Sequence, residues 1–149
     1  MWSPHSVPAN PWRRLGGFVI DGFLIGLVAQ LAQAGANMMS VSATLSSGHQ
    51  QPASPFFAPA LAIALSIIYP TYFQAGTRQA TPGQQAAGVK VVDMYGNRIG
   101  YGTAFIRSLV GVASAIPLYA GYIVGFFSGR RQTVHDIVAG TLVVMKEKS

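Results

Sequence analysis

Apolar residues in this chain gather into three long runs separated by polar stretches. Residues 15–36 form the first and carry a single charge, Asp21. Residues 56–73 form the second, 18 positions without a charge. Residues 104–127 form the third, with Arg107 near the start and Pro117 in the middle. About 20 apolar residues suffice to cross the hydrocarbon core of a bilayer as a helix. The first two runs are therefore expected to be spanning helices. Pro59 lies in the first turn of the second, where proline is tolerated.

The polar stretches read differently from one another. Residues 1–11 hold three prolines and no charge and read as an irregular tail before a core of residues 12–145. Residues 33–55 are rich in Ser, Gln, Asn and Gly and read as a solvated loop, with the first helix expected to end near Met38-Met39. Residues 88–93 alternate and are β-branched, Tyr95-Gly96-Asn97 is a turn signal, and Arg98-Ile99-Gly100-Tyr101 follows. Together these predict a small β-hairpin. Thr141-Leu142-Val143-Val144 is strand-like and is expected to join it.

Composition makes lipid the main solvent. Only 9% of the 149 residues are charged and 50% are hydrophobic, against about 25% charged in ordinary soluble domains. A disordered chain is excluded, since disorder needs polar composition. No cysteine is present, which removes disulfides, thiolate metal sites and a thiol nucleophile. The three histidines, His5, His49 and His135, are scattered, so no metal and no cofactor is expected. The formal charge is +6, and the positive residues border apolar runs without interleaved exposed aromatics, which argues against nucleic acid.

Charge placement predicts orientation. Arg13 and Arg14 precede the first run, the loop after it has no Lys or Arg, and Arg78, Lys90 and Arg98 follow the second run. The positive-inside rule places the N-terminus in the cytoplasm and the hairpin on the same side. Arg130 and Arg131 after the third run conflict with a third full span. The preferred resolution is a break at Pro117 into a helical hairpin that dips in and returns; the alternative is one kinked span. The return brings residues 141–145 beside residues 89–93. A cleaved signal peptide is the rival reading of residues 13–34, opposed by Asp21 inside the apolar stretch and by two later apolar runs.

Asp21 is the most informative residue. A carboxylate at that depth is costly unless paired, hydrated or protonated. Arg14 shares its helical face but lies about 10 Å away along the axis, so a partner from another segment is expected, with Arg107 the candidate. Gly22 and Gly26 form a small-xxx-small pattern suited to close helix packing, within the chain or between copies. Residues 130–136 hold Arg131, His135 and Asp136, readable as a lipid anchor or as a capping or pairing group. No phosphate loop, Gly-x-Ser-x-Gly or His-Glu-x-x-His is present, so a soluble-type enzyme has no support.

These pieces resemble the RDD family of small bacterial integral membrane proteins, over residues 12–145. That family is named for an arginine and an aspartate in its first span and a second aspartate near the end of its conserved region. The matching positions are Arg14 and Asp21 in Arg13-Arg14-Leu15-Gly16-Gly17-Phe18-Val19-Ile20-Asp21, and Asp136 in Thr133-Val134-His135-Asp136. Ala80-Thr81-Pro82-Gly83-Gln84 is a further match, with Gln84 where the family usually has Lys or Arg. The resemblance implies a single mainly α polytopic membrane domain of the plasma membrane. It also implies help in moving an ion or small solute, since cation/proton exchange is attributed to some members. The expectation is that Arg14, Asp21, Asp136, Arg131 and His135 serve this, with no enzymatic step, in a homo-oligomer or with a membrane protein partner. A non-transporting scaffold or accessory subunit is the alternative, and a lipid-acting intramembrane enzyme a weaker third.

Overall fold

The computed structural model describes residues 7–50, 52–115 and 132–146. In chain order the elements are helices α1 (Pro11–Ser47), α2 (Phe57–Ala75) and α3 (Pro82–Ala86), strand β1 (Val89–Asp93), helices α4 (Tyr101–Ala115) and α5 (Val134–Ala139), and strand β2 (Thr141–Met145). The break expected at Pro117, and Arg130 and Arg131 with it, lie outside the described residues.

Asn10 caps α1 by accepting from the Trp12 amide at 3.1 Å, and Pro11 supplies a preset φ at the first helical position. The helix then runs 37 residues, about 56 Å at 1.5 Å per residue. This corrects the expected end near Met38-Met39. The Ser/Thr-rich stretch stays helical because its hydroxyls bond back into the helix. Ser40 donates to the Asn37 carbonyl and Thr44 to that of Ser40, both at 2.8 Å, and Ser47 donates to that of Ala43 at 2.7 Å. Gly48, at φ 71°, ends the helix with its amide on the Thr44 carbonyl. Gln33, placed by sequence at the start of the loop, lies in α1 and accepts from the Ala58 amide at 3.0 Å, satisfying a donor in the first turn of α2.

In the best 18-residue window of both α1 and α2, only 11% of positions are buried within the described residues. Phe23, Leu27, Leu31, Ile63 and Ile68 stand exposed. Apolar surface on this scale is stable only in a nonaqueous solvent. The chain is a membrane protein with two candidate spanning helices.

A two-stranded sheet completes the described fold. Strand β1 pairs antiparallel with β2, Val91 opposite Val143. The C-terminal strand is thus the partner of β1, while Arg98-Ile99-Gly100 leads into α4 and forms no second hairpin arm. The Tyr95-Gly96-Asn97 turn does form, held by the Asp93 carboxylate, which accepts from the Tyr95 and Asn97 amides at 2.8 Å. The leading tail is not irregular throughout. The Ala9 amide donates to the Val143 carbonyl at 2.9 Å and the Met145 amide to that of Val7 at 3.0 Å. Pro8 is tolerated there because this is an edge. Gln79 covers the opposite edge, donating its side-chain amide to the Val91 carbonyl and accepting the Val91 N–H at 2.8 Å. Both edges of a two-stranded sheet are thereby closed. Ala9, Val89, Val91, Ile99, Ala104 and Val143 form its core.

Candidate functional site

Two carboxylates sit in very different surroundings: Asp21 on α1, and Asp136, which pairs with Arg14 about two turns before Asp21 on the same helix. Asp136 is fully buried. Thr133 and Asp136 form a capping box at the start of α5: the Thr133 amide donates to Asp136 Oδ2 at 3.0 Å, and the Thr133 hydroxyl donates to the same oxygen at 2.8 Å. Arg14 of α1 pairs with Oδ2 as well. Arg107 of α4 donates to Oδ1 through Nε at 3.0 Å and Nη2 at 2.7 Å. The remaining Arg107 Nη1 donates to Gln74 Oε1 of α2 at 2.8 Å. A single carboxylate therefore joins α1, α2, α4 and α5. Sequence reasoning named Arg107 as the partner of Asp21; the fold corrects this, because Arg107 enters from α4 on the α5 side and meets Asp136.

Burial by itself would raise the pKa of Asp136, but the Arg107 and Arg14 guanidiniums outweigh it and hold the carboxyl well below the usual range. Burial, reinforced by the Arg107 charge, pushes His135 down to about 3. His135 is therefore neutral at physiological pH. Its ring lies against the Thr133 hydroxyl, with Nε2 2.9 Å from the hydroxyl oxygen.

Linkage fixes the sign of the pH response. Both groups bind protons more weakly in the folded state, so each contributes stability above its unfolded pKa that is lost on acidification. The His135 contribution fades as pH falls from about 6.5 towards 3, and that of Asp136 fades below about 3.8. An unfolding midpoint that drops between pH 6.5 and 4, with a slope of at most about 1.4 kcal/mol per pH unit from this group, is expected. His135→Gln should flatten that part of the curve. A wild-type profile flat over the same range contradicts the assignment.

Asp21, only partly buried, has neutral partners. The Thr81 hydroxyl donates to its Oδ2. The Gly83 amide and the Tyr69 hydroxyl each donate to its Oδ1 at 2.9 Å. Among the described residues no cation lies within ion-pair distance of it. Thr81 also caps α3: its hydroxyl accepts from the Gln84 amide and Gln84 Oε1 accepts from the Thr81 amide at 3.0 Å. Gln84, which replaces the cation usual at that position in the resembled family, thus serves as a cap.

Gly17 and Gly83 allow α3 to lie against α1. A Cβ on Gly83 would overlap the Gly17 carbonyl oxygen, and a Cβ on Gly17 would stand 3.1 Å from the Gly83 oxygen. Among the described residues Gly22 and Gly26 have no atom within 4 Å of their Cβ positions, and both line a cavity. Its volume is about 580 Å³. Its lining includes the polar residues Arg14, Asp21, Tyr69 and Arg107 and the apolar residues Ile25, Ile63 and Val112.

The structure brings Arg14, His135 and Asp136 together and sets Asp21 apart. Arg131 lies outside the described residues. Sequence reasoning missed Tyr69, Gln74, Thr81 and Thr133 as site residues. The signals available were the Thr-x-x-Gln and Thr-x-x-Asp spacings of the two capping boxes. Nothing local marked Tyr69 or Gln74.

Apolar helices left uncovered, with buried Arg and Asp side chains tying them to a small sheet, define a helical membrane protein with an internal polar network. The RDD family profile matches residues 8–140, and the chain belongs to that family. It is 27% identical over 149 residues to the uncharacterized protein YxaI of Bacillus subtilis (strain 168), covering 93% of this chain and 98% of that one. No solved structure matches it.

Proposed function

We propose that this protein is a multi-pass component of the plasma membrane, N-terminus in the cytoplasm, that assists movement of a cation or proton, with Asp21 as the binding group. It performs no enzymatic step. Division of labour between the two carboxylates carries this reading. Asp136 is neutralised by two guanidiniums and serves as a structural lock. Asp21 faces the cavity, held by neutral donors alone among the described residues. A carboxylate so placed can take up and release a positive charge without breaking an ion pair. Arg13, Arg14 and Arg78 cluster around the sheet end of α1 and α2, while residues 33–55 carry no Lys or Arg, which supports the orientation.

In proteoliposomes Asp21→Asn should reduce proton-coupled cation flux to the background of empty vesicles while the unfolding midpoint stays near wild type. Flux equal to wild type overturns the reading.

A second reading, a scaffold or accessory subunit, is favoured by Met38, Met39 and Leu45, each at least 75% exposed on the far part of α1. That length of helix exceeds the ~30 Å hydrocarbon core and offers an apolar face to a membrane protein partner or a second copy. Stoichiometric co-purification of a partner, with no flux, would select it.

A further inference from the structure

The chamber beside Asp21 is mainly apolar, and its charged lining consists of Asp21 together with Arg14 and Arg107, both of which are paired with Asp136. Along α1 the stripe of Phe18, Asp21, Gly22, Ile25 and Gly26 lines it, one residue or two per turn. Ile63, Ser66 and Tyr69 of α2 line it too, and α4 contributes Gly111 and Val112. Its volume of about 580 Å³ falls in the roughly 300–1,000 Å³ range of sites for small organic molecules.

A dehydrated metal ion is poorly served here. Hard cations such as calcium take about 6–8 oxygen ligands. The Asp21 oxygens already accept three hydrogen bonds, and among the described residues no group of three His, Cys, Asp or Glu is placed to hold a metal. An alkylammonium has different needs. It brings three N–H donors and one charge. Asp21 offers the opposite charge and its remaining lone pair. The Tyr69 oxygen, having donated its proton to Asp21, is left as an acceptor. The apolar body of such a molecule then removes its surface from water against Phe18, Ile25, Ile63 and Val112, where a bare ion gains nothing.

We infer that the cavity binds a single-chain amphiphilic primary amine, its ammonium on Asp21 and Tyr69 and its apolar body among α1, α2 and α4. This rests on the reading of Asp21 as the cavity's binding group and assigns the class of its ligand. The open space at Gly22 and Gly26 is then room for the ligand.

The test is calorimetric titration of the full chain in phosphatidylcholine nanodiscs with octylamine, octanol, octanoate and methylamine, empty nanodiscs subtracted. Saturable octylamine binding is expected, at least tenfold tighter than that of the other three. It should be lost in Asp21→Asn and weakened about tenfold in Tyr69→Phe. Gly26→Leu, which places a bulky apolar side chain in the cavity, should weaken octylamine and leave methylamine unchanged. Should Asp21→Asn fail to fold, the last two variants decide. Equal binding of octylamine by wild type, Tyr69→Phe and Gly26→Leu overturns the inference, as does octanol binding as tightly as octylamine. Repeating the titration in nanodiscs containing phosphatidylethanolamine separates two sources of the same chemistry: competition identifies the lipid headgroup, and its absence a free amine. Octylamine bound through Asp21 with no flux of any cation would defeat the transport reading alone. Asp21-dependent flux without octylamine binding would defeat this inference alone.

Discussion

Asp136→Ala is expected to be the most destabilising single substitution among the described residues. It leaves the Arg14 and Arg107 guanidiniums facing one another without a counter-charge, in a place where Arg107 is only 4% exposed. It also removes the reciprocal half of the α5 capping box. Removing one member of a buried ion pair costs about 3–5 kcal/mol. A marked fall in the detergent- or heat-unfolding midpoint should follow. Asp136→Asn should be nearly as damaging, because an amide can accept the Thr133 hydrogen bonds but brings no charge. Arg107→Met combined with Asp136→Ala should recover part of the loss, since only one cation is then left uncompensated. A midpoint for Asp136→Ala close to that of wild type would show that the network is dispensable to the fold.

Gly83→Ala is expected to have the second largest effect, through a different cause. The added carbon would overlap the Gly17 carbonyl oxygen and stand 2.7 Å from Asp21 Cγ and 2.8 Å from its Oδ1. A backbone oxygen of a long helix cannot move aside as a side-chain tip can, so α3 must shift away from α1. Overpacking of this kind costs about 1–3 kcal/mol. The shift also withdraws the Gly83 amide, and with it the Thr81 hydroxyl, from Asp21. Gly83→Ala should therefore lower both the unfolding midpoint and any Asp21-dependent flux or amine binding. Gly17→Ala, with contacts of 3.1–3.3 Å, should do the same to a smaller degree. Wild-type stability and function in Gly83→Ala would contradict the packing of α3 on α1.

Much of this was legible in the sequence because each signal was local. Two apolar runs announced two helices suited to lipid, and the β-branched residues 89–93 and 141–145 announced strands. Asp21 and Asp136 stood out because an ionised group next to an apolar run is costly without compensation. Other features were hidden for physical reasons. The end of α1 was misread because Ser, Thr and Asn favour loops in general, whereas here the hydroxyls return their hydrogen bonds to the helix. The edge role of residues 7–9 was hidden because a proline-rich segment has no strand propensity and pairs only when an edge is offered to it. Gly22 and Gly26 read as packing residues, yet spacing alone cannot tell a helix contact from a cavity wall.

By itself the sequence determined the apolar character of the chain, the two candidate spanning helices, the strand segments and the acids that had to be satisfied, because hydropathy and burial cost follow from residue type and run length. Only the tertiary structure decided which cation serves which acid. Asp21 and Arg107 lie 86 positions apart, and no local periodicity encodes the approach of α4 to α5 that commits both Arg14 and Arg107 to Asp136. Pairing is set by where helices cross. That crossing leaves Asp21 with neutral donors from α2 and α3, and so makes one carboxylate a lock and the other a cavity group.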